Sequence, residues 1–134
     1  MLCFSALMCE AGMKELSPLQ LAFLGDAIHT LFVRMWALNI CKAPMNQVHK
    51  ICAKYCSAVH QSEVLSSLQL QDDEQEIVRR ARNAKAKHSA KNAEVKDYKL
   101  ATAFEALVGY LQINNKEERL LYVLDASIKD KDAD

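Results

Sequence analysis

The amino-acid sequence predicts an all-α protein with one domain. Only 3 glycines and 2 prolines occur in 134 residues, whereas an all-β sandwich or barrel needs turn residues roughly every 8 to 12 positions. Alanine, leucine, lysine, glutamate and glutamine, which favour helices, are plentiful. The length and the 51% hydrophobic content fit a single domain of ordinary size. These observations disfavour an all-β fold and a two-domain enzyme.

The first predicted helix runs from about Pro18 to about Leu38. Ser17 is a favourable N-cap, Pro18 suits the first helical position, and Gln20 completes a capping box. Two shorter helices are predicted after Pro44, because apolar residues recur there at helical spacing in two successive sets. These sets are Val48, Ile51 and Tyr55, then Val59, Val64, Leu65 and Leu68.

Charged residues at both ends mark the fourth predicted helix. It begins at Asp72 and Asp73 and becomes basic in its last turn, as the helix macrodipole favours. The basic residues are Arg79, Arg80 and Arg82. The segment from Ala84 to Asp97 lacks periodic apolar positions, and we therefore predict a loop there.

Two more helices are predicted in the C-terminal part of the chain. One spans about Tyr98 to Ile113. Asn115 and Glu118 then form a capping box for the last helix, which runs to about Ile128.

The predicted domain covers residues 16–129. Residues 1–15 lack the basic start and the unbroken apolar run of a secretory signal, and we expect a loosely ordered extension there and a frayed tail at 130–134. The five cysteines are odd in number and show no framework spacing, which indicates reduced thiols. No apolar run approaches the roughly 20 residues of a membrane span. We therefore expect a cytoplasmic protein without a membrane segment.

Two isolated carboxylates stand in otherwise apolar helices. Asp26 is the only formally charged residue in LQLAFLGDAIHTLFV, and Glu105 is the only one in LATAFEALVGYLQI. Because burying an unpaired carboxylate is costly, each group needs a partner, and the two groups can meet around a divalent cation. Alternatively, Asp26 caps a helix that restarts at Ala27, and Glu105 pairs with an arginine such as Arg34. The pattern alone leaves both interpretations open.

A basic stretch runs from Arg79 to Lys99. Eight Lys or Arg residues stand there against Glu94 and Asp97, which gives a local charge of +6 in a chain of zero net charge. Such clustering suits a phosphate backbone, although a solvated surface is the ordinary alternative. The stretch has no interleaved aromatic pattern of the kind that stacks single-stranded bases. A duplex is therefore the favoured polyanion.

Three sequence blocks, in this order, resemble mini-ribonuclease III, a ribonuclease III relative that lacks the double-stranded-RNA-binding domain. The resemblance covers about Leu16 to Ile128. The blocks are LAFLGDAI at Leu21 to Ile28, RARNAK at Arg80 to Lys85, and YKLATAFEALVGYL at Tyr98 to Leu111, which KEERL follows at Lys116 to Leu120.

The resemblance implies a helical ribonuclease III-type endonuclease domain that dimerises and hydrolyses double-stranded RNA with Mg²⁺, or alternatively Mn²⁺. Asp26 and Glu105 match the family's acidic positions, so they would be the catalytic metal ligands. Family members mature the ends of large-subunit (23S) ribosomal RNA precursors, which makes a ribosomal protein bound to that RNA a further candidate partner. The alternative function is a catalytically silent scaffold that binds RNA or the ribosome.

The resemblance also implies contact residues. The expected RNA contacts are Arg82, Asn83, Lys85, Lys87 and Lys91. The expected dimer interface lies on the first helix and includes Phe23, Leu24 and Ile28. Three positions that are acidic in full-length ribonuclease III differ here, and fewer protein ligands with more waters are therefore expected at the metal. The residues at these positions are Leu19, Ala22 and Thr102.

Overall fold

The computed structural model describes residues 16–84 and 93–129, which form six helices and no strand. The predicted all-α fold is confirmed. The predicted N-terminal extension and C-terminal tail lie outside the described residues. The helices are α1 (Pro18–Ile40), α2 (Met45–Tyr55), α3 (Ala58–Ser67), α4 (Asp72–Asn83), α5 (Ala93–Ile113) and α6 (Glu117–Ile128).

Helix α1 begins at the predicted capping box and continues without a break. The backbone N–H of Gln20 donates to Oγ of Ser17 at 3.2 Å, and the Gln20 side chain accepts from the Ser17 N–H at 2.9 Å. The helix passes through Gly25 and ends at Ile40. The interpretation of Asp26 as the cap of a restarted helix is therefore wrong.

Two predicted boundaries in the C-terminal part are also wrong. Residues 93–97 were expected in a loop but form the start of α5, where Glu94 in the first turn suits the helix dipole. Asn115 does not cap α6, because it adopts a left-handed conformation with φ of 55° and Lys116 is the N-cap. Asparagine tolerates this conformation in tight turns.

Helix α5 is the centre of the fold. It packs most extensively against α1 and also contacts α3 and α4. Several of its apolar side chains are completely buried in the main hydrophobic core, among them Phe104, Leu107, Val108 and Leu111. A second, smaller core joins α1 to α2 around Val33 and Val48.

Helices α1 and α5 touch through their backbones at two glycines. A Cβ atom built on Gly25 would lie 1.7 Å from the carbonyl oxygen of Glu105, and one built on Gly109 would lie 2.1 Å from the carbonyl oxygen of Leu21. No side chain fits at such distances. This crossing fixes how closely the two helices approach and which residues meet beside it.

Polar contacts attach α4 to the end of α5 and to α6. Tyr110 donates to Asp73 at 2.7 Å, and Lys116 pairs with the same carboxylate. Glu74 is completely buried and accepts two hydrogen bonds from Arg119, at 2.6 and 2.8 Å. The KEERL block therefore supplies the cations that attach α4 to the start of α6, since a buried carboxylate requires a paired cation.

Helix α1 is long and apolar enough, by length and composition, to cross a membrane. This property was not expected, because Asp26 and the polar residues of the helix interrupt any unbroken apolar run in the sequence. The backbone contact with α5 gives the helix a different role, as one wall of the hydrophobic core. Its remaining apolar surface faces outward.

Replacing Gly25 with alanine is expected to destabilise the protein by about 3 kcal/mol, at the upper end of the range for overpacking. The added methyl group would meet backbone rather than a movable side chain. Urea unfolding measures the change, with Asn39→Ala on the exposed surface of α1 as a control that should shift by about 0.5 kcal/mol or less. Wild-type stability in Gly25→Ala would contradict the crossing.

Candidate active site

The two isolated carboxylates meet at the α1–α5 crossing. Asp26 follows Gly25 directly, and Glu105 is the residue whose carbonyl contacts Gly25. The side chains of Asp26 and Glu105 are within hydrogen-bonding distance of each other. Asp26 is exposed, whereas Glu105 is half-buried. The structure thus brings together groups from distant parts of the chain and leaves them accessible to solvent.

Glu105 retains a proton at neutral pH. Burial raises the pKa of its carboxyl to about 9, and the hydrogen bond and charge of Asp26 act in the same direction. The cause is general, since a desolvated carboxyl beside a second carboxyl favours its neutral form. The alternative in which Glu105 pairs with Arg34 is not what the structure shows, because its partner is Asp26.

Thr30 and Cys56 lie next to the carboxylate pair. Thr30 follows Asp26 by one helical turn, and its side chain is hydrogen-bonded to the thiol of Cys56, the C-cap residue of α2. Burial raises the pKa of this thiol to about 11, and the nearby charges of Asp26 and Glu105 contribute to the increase. Cys56 therefore remains a neutral thiol. Thr30 could have been predicted at the site from the sequence, because it lies four residues after Asp26 on the same helix. No sequence signal identified Cys56 as a neighbour of the carboxylate pair.

His29 is a completely buried polar residue one turn beyond Asp26. The side-chain amide of Gln61 on α3 donates to its Nδ1 at 3.0 Å, and its ring packs edge-on against Phe104. Burial and the charge of nearby His60 lower its pKa to about 4, against the opposing effect of Asp26. Neutral His29 thus connects this part of α1 to α3.

The carboxylate pair fits a hard divalent cation. Carboxylate oxygens are the ligands that Mg²⁺ prefers, with water and substrate phosphate completing its coordination. Within residues 16–84 and 93–129, no group of three or more His, Cys, Asp or Glu side chains could hold a metal ion. The expectation of fewer protein ligands at the metal, which came from Leu19, Ala22 and Thr102, stays a prediction.

A basic cleft of about 340 Å³ lies between the end of α4 and the start of α5. It contains two of the predicted RNA contacts, Arg82 and Asn83. The other three, Lys85, Lys87 and Lys91, lie outside the described residues. The remaining lining residues are Val95, Lys96 and Lys99. Neither of these two lysines was among the RNA contacts expected from the sequence.

The predicted interface residues differ in exposure. Phe23 is 79% exposed, a high value for a large apolar side chain. Leu24 is half-buried, and half-buried Ile28 packs against the core of its own chain.

Comparison with protein families gives a match across most of the fold. The model described as "Ribonuclease III domain" matches residues 19–116, a segment that contains both carboxylates and the lining of the basic cleft. The chain belongs to the ribonuclease III family. It is therefore an endoribonuclease, and enzymes of this family use a divalent metal ion and act on double-stranded RNA.

Curated relatives and a solved structure agree with this membership. Mini-ribonuclease 3 of Thermoanaerobacter sp. (strain X514) is 40% identical over 125 residues, covering 92% of this chain and 88% of the relative. Mini-ribonuclease 3 of Brevibacillus brevis is 46% identical over 110 residues, covering 81% and 82%. A crystal structure of a Fusobacterium nucleatum protein matches with a TM-score of 0.77 and 31% identity, covering 86% and 93%. The predicted resemblance to mini-ribonuclease III is confirmed.

The protonated carboxyl in this ribonuclease III fold gives a pH-dependent stability. Because the pKa of Glu105 is raised to about 9 by folding, its neutral form favours the folded state below the ordinary glutamate pKa, and this contribution is lost as pH rises toward 9. In EDTA, Glu105→Gln should therefore gain thermal stability relative to wild type between pH 5 and 9. Paired thermal melts measure this difference, and a difference independent of pH would contradict the buried carboxyl pair.

Proposed function

We propose that this ribonuclease III-family chain is a Mg²⁺-dependent endonuclease that cleaves double-stranded RNA as a homodimer, with Mn²⁺ as an alternative metal. Residues 16–129 form the catalytic domain, and Asp26 and Glu105 are its catalytic metal ligands. The observation that carries the proposal is the accessible carboxylate pair at the α1–α5 crossing.

The electrostatics of the pair support this role. Two adjacent carboxylates repel each other when both are ionised, and Glu105 therefore holds a proton when no cation is present. Asp26 and Glu105 would hold a divalent cation between them as a doubly ionised pair, because its charge would offset their repulsion. A bound metal would supply an activated water and would stabilise charge on the phosphodiester oxygens. The glycine crossing fixes both backbones and therefore the place of the two carboxylates.

Substrate binding is assigned to the basic residues near the end of α4. Arg82 and Asn83 line a cleft whose described lining residues include no acidic side chain, and cationic side chains bind duplexes chiefly through their phosphates. Lys85, Lys87 and Lys91 are proposed to extend this contact. The proposed natural substrate is the large-subunit (23S) ribosomal RNA precursor in the cytoplasm, with a ribosomal protein bound to the RNA as a candidate partner.

An exposed apolar surface on α1 supports dimerisation. Large apolar side chains there are between 41% and 79% exposed and recur at intervals of four, eight, four and three residues, and such a surface commonly marks a protein interface. These residues are Leu19, Phe23, Leu31, Met35 and Leu38. A two-fold axis would place two carboxylate pairs and two basic clefts in one enzyme.

Loss of either carboxylate should abolish cleavage without abolishing binding. Asp26→Asn and Glu105→Gln remove charge at the metal site but leave Arg82 and Asn83 in place. Cleavage of structured precursor RNA in Mg²⁺ should fall at least about 100-fold, with reactions that lack Mg²⁺ as the blank, whereas duplex affinity in EDTA should change less than about threefold.

Full cleavage activity in either variant would contradict the assignment of the metal ligands. A wild-type chain that binds duplex RNA but never cleaves it, with Mg²⁺ or Mn²⁺, would instead support the catalytically silent scaffold. Thermal melts provide a measurement that does not depend on activity. Mg²⁺ should raise the melting temperature of wild type but not that of Glu105→Gln.

Replacing Phe23 with aspartate is expected to convert the dimer into a monomer. A charge would then lie within the apolar surface, at its most exposed side chain, where it loses hydration on dimerisation without gaining a partner. Sedimentation at micromolar concentration measures the oligomeric state. Met45→Asp places the same charge at an exposed apolar site on α2 and should remain dimeric. A wild-type monomer at this concentration would exclude the proposed interface.

A further inference from the structure

A row of polar side chains on α5 connects the basic cleft to the carboxylate pair. Lys96, Lys99, Thr102 and Glu105 follow one another at intervals of three residues. Helical residues three apart are surface neighbours, about 5–6 Å between Cβ atoms. The four residues therefore extend about 14 Å along the helix axis, and because each step of three residues turns about 60° around it, they pass from the side of α5 that lines the cleft round to the side that carries Glu105.

The cleft at the start of this row is arranged for an anion. Arg82, Lys96 and Lys99 supply three cations, and Asn83 adds an amide donor. All four side chains are exposed, so the cleft is open to a large ligand. Neither Glu94 nor Asp97, the acidic residues in the same part of α5, lines it.

We infer that this cleft holds a backbone phosphate of the RNA other than the phosphodiester that is cut, and that Lys96 and Lys99 thereby set the cleavage position. This inference rests on the proposed function. Phosphate contacts carry little sequence information but fix the register of a protein on a duplex. Because the cleft and Glu105 belong to the same rigid helix, a phosphate held in the cleft lies at a constant distance from the reacting one.

The open cleft favours a phosphate within a polymer over a free phosphate ion. A free ion would occupy the cleft alone, whereas a duplex is large enough to contact the cleft and the carboxylate pair together. The two sources share one chemistry, a phosphate group bound by lysine, arginine and amide donors. Separate binding measurements with duplex RNA and with inorganic phosphate distinguish them.

Binding can be tested without cleavage by using EDTA. The double variant Lys96→Ala/Lys99→Ala should bind a labelled RNA duplex at least about tenfold more weakly. A plot of the logarithm of its binding constant against the logarithm of the salt concentration should become less steep by about one unit for each RNA phosphate that the variant no longer binds. Fluorescence anisotropy at several NaCl concentrations measures both quantities. Lys129→Ala, at the exposed C-cap of α6 and outside the cleft, should match wild type.

Mapping the ends of the cleavage products tests whether the cleft sets the cleavage position. With Mg²⁺, wild type should cut a structured RNA at defined positions, whereas the double variant should cut at scattered positions even at protein concentrations that restore binding. Lys99→Arg keeps the cation and should keep the wild-type cleavage map. Thermal melts of each variant exclude loss of folding as the cause.

Three outcomes would overturn the inference. The first is a double variant with the wild-type salt dependence and cleavage map, and the second is an equal loss of affinity in Lys129→Ala. The third is a double variant that loses only its affinity for inorganic phosphate, because the cleft would then take the free ion. Failure of wild type to cleave would count against the proposed function, whereas the anisotropy result in EDTA concerns the cleft alone.

Discussion

The backbone contact between α1 and α5 is the constraint on which the rest of the structure depends. Gly25 and Gly109 let two long helices approach more closely than any side chain would permit. The carboxylates beside this crossing are held at a separation that the helices themselves set. A looser crossing would leave the core intact in outline but would separate Asp26 from Glu105, and the site would lose its chemistry.

Two titratable groups beside the carboxylate pair are uncharged at neutral pH. His29 is neutral because burial lowers its pKa to about 4, and Cys56 is neutral because burial raises its pKa to about 11. Neither group therefore acts as a counter-ion to Asp26. The negative charge of the site lies on exposed Asp26, where the proposed metal ion would reach it.

The fold shows that some residues of the motif blocks hold the structure together, whereas others carry the proposed chemistry. Asp26 and Glu105 carry the proposed chemistry, whereas the glycines in the same two blocks make their meeting possible. The KEERL block has a structural task, since Lys116 and Arg119 pair with carboxylates at the start of α4. The RARNAK block reaches the basic cleft through Arg82 and Asn83, but the two lysines that line this cleft come from helix α5.

The sequence by itself determined the local features of this protein: the all-α class, the cap at Ser17 and most helix bounds. These follow from propensity, capping and periodicity, which act within a few residues. The three motif blocks also indicated the family, as a resemblance. Only the tertiary structure decided that Asp26 adjoins Glu105, that Cys56 and His29 lie beside them, and that Lys99 joins Arg82 in one cleft. These contacts connect distant segments, and their distances depend on how the helices pack rather than on any local pattern.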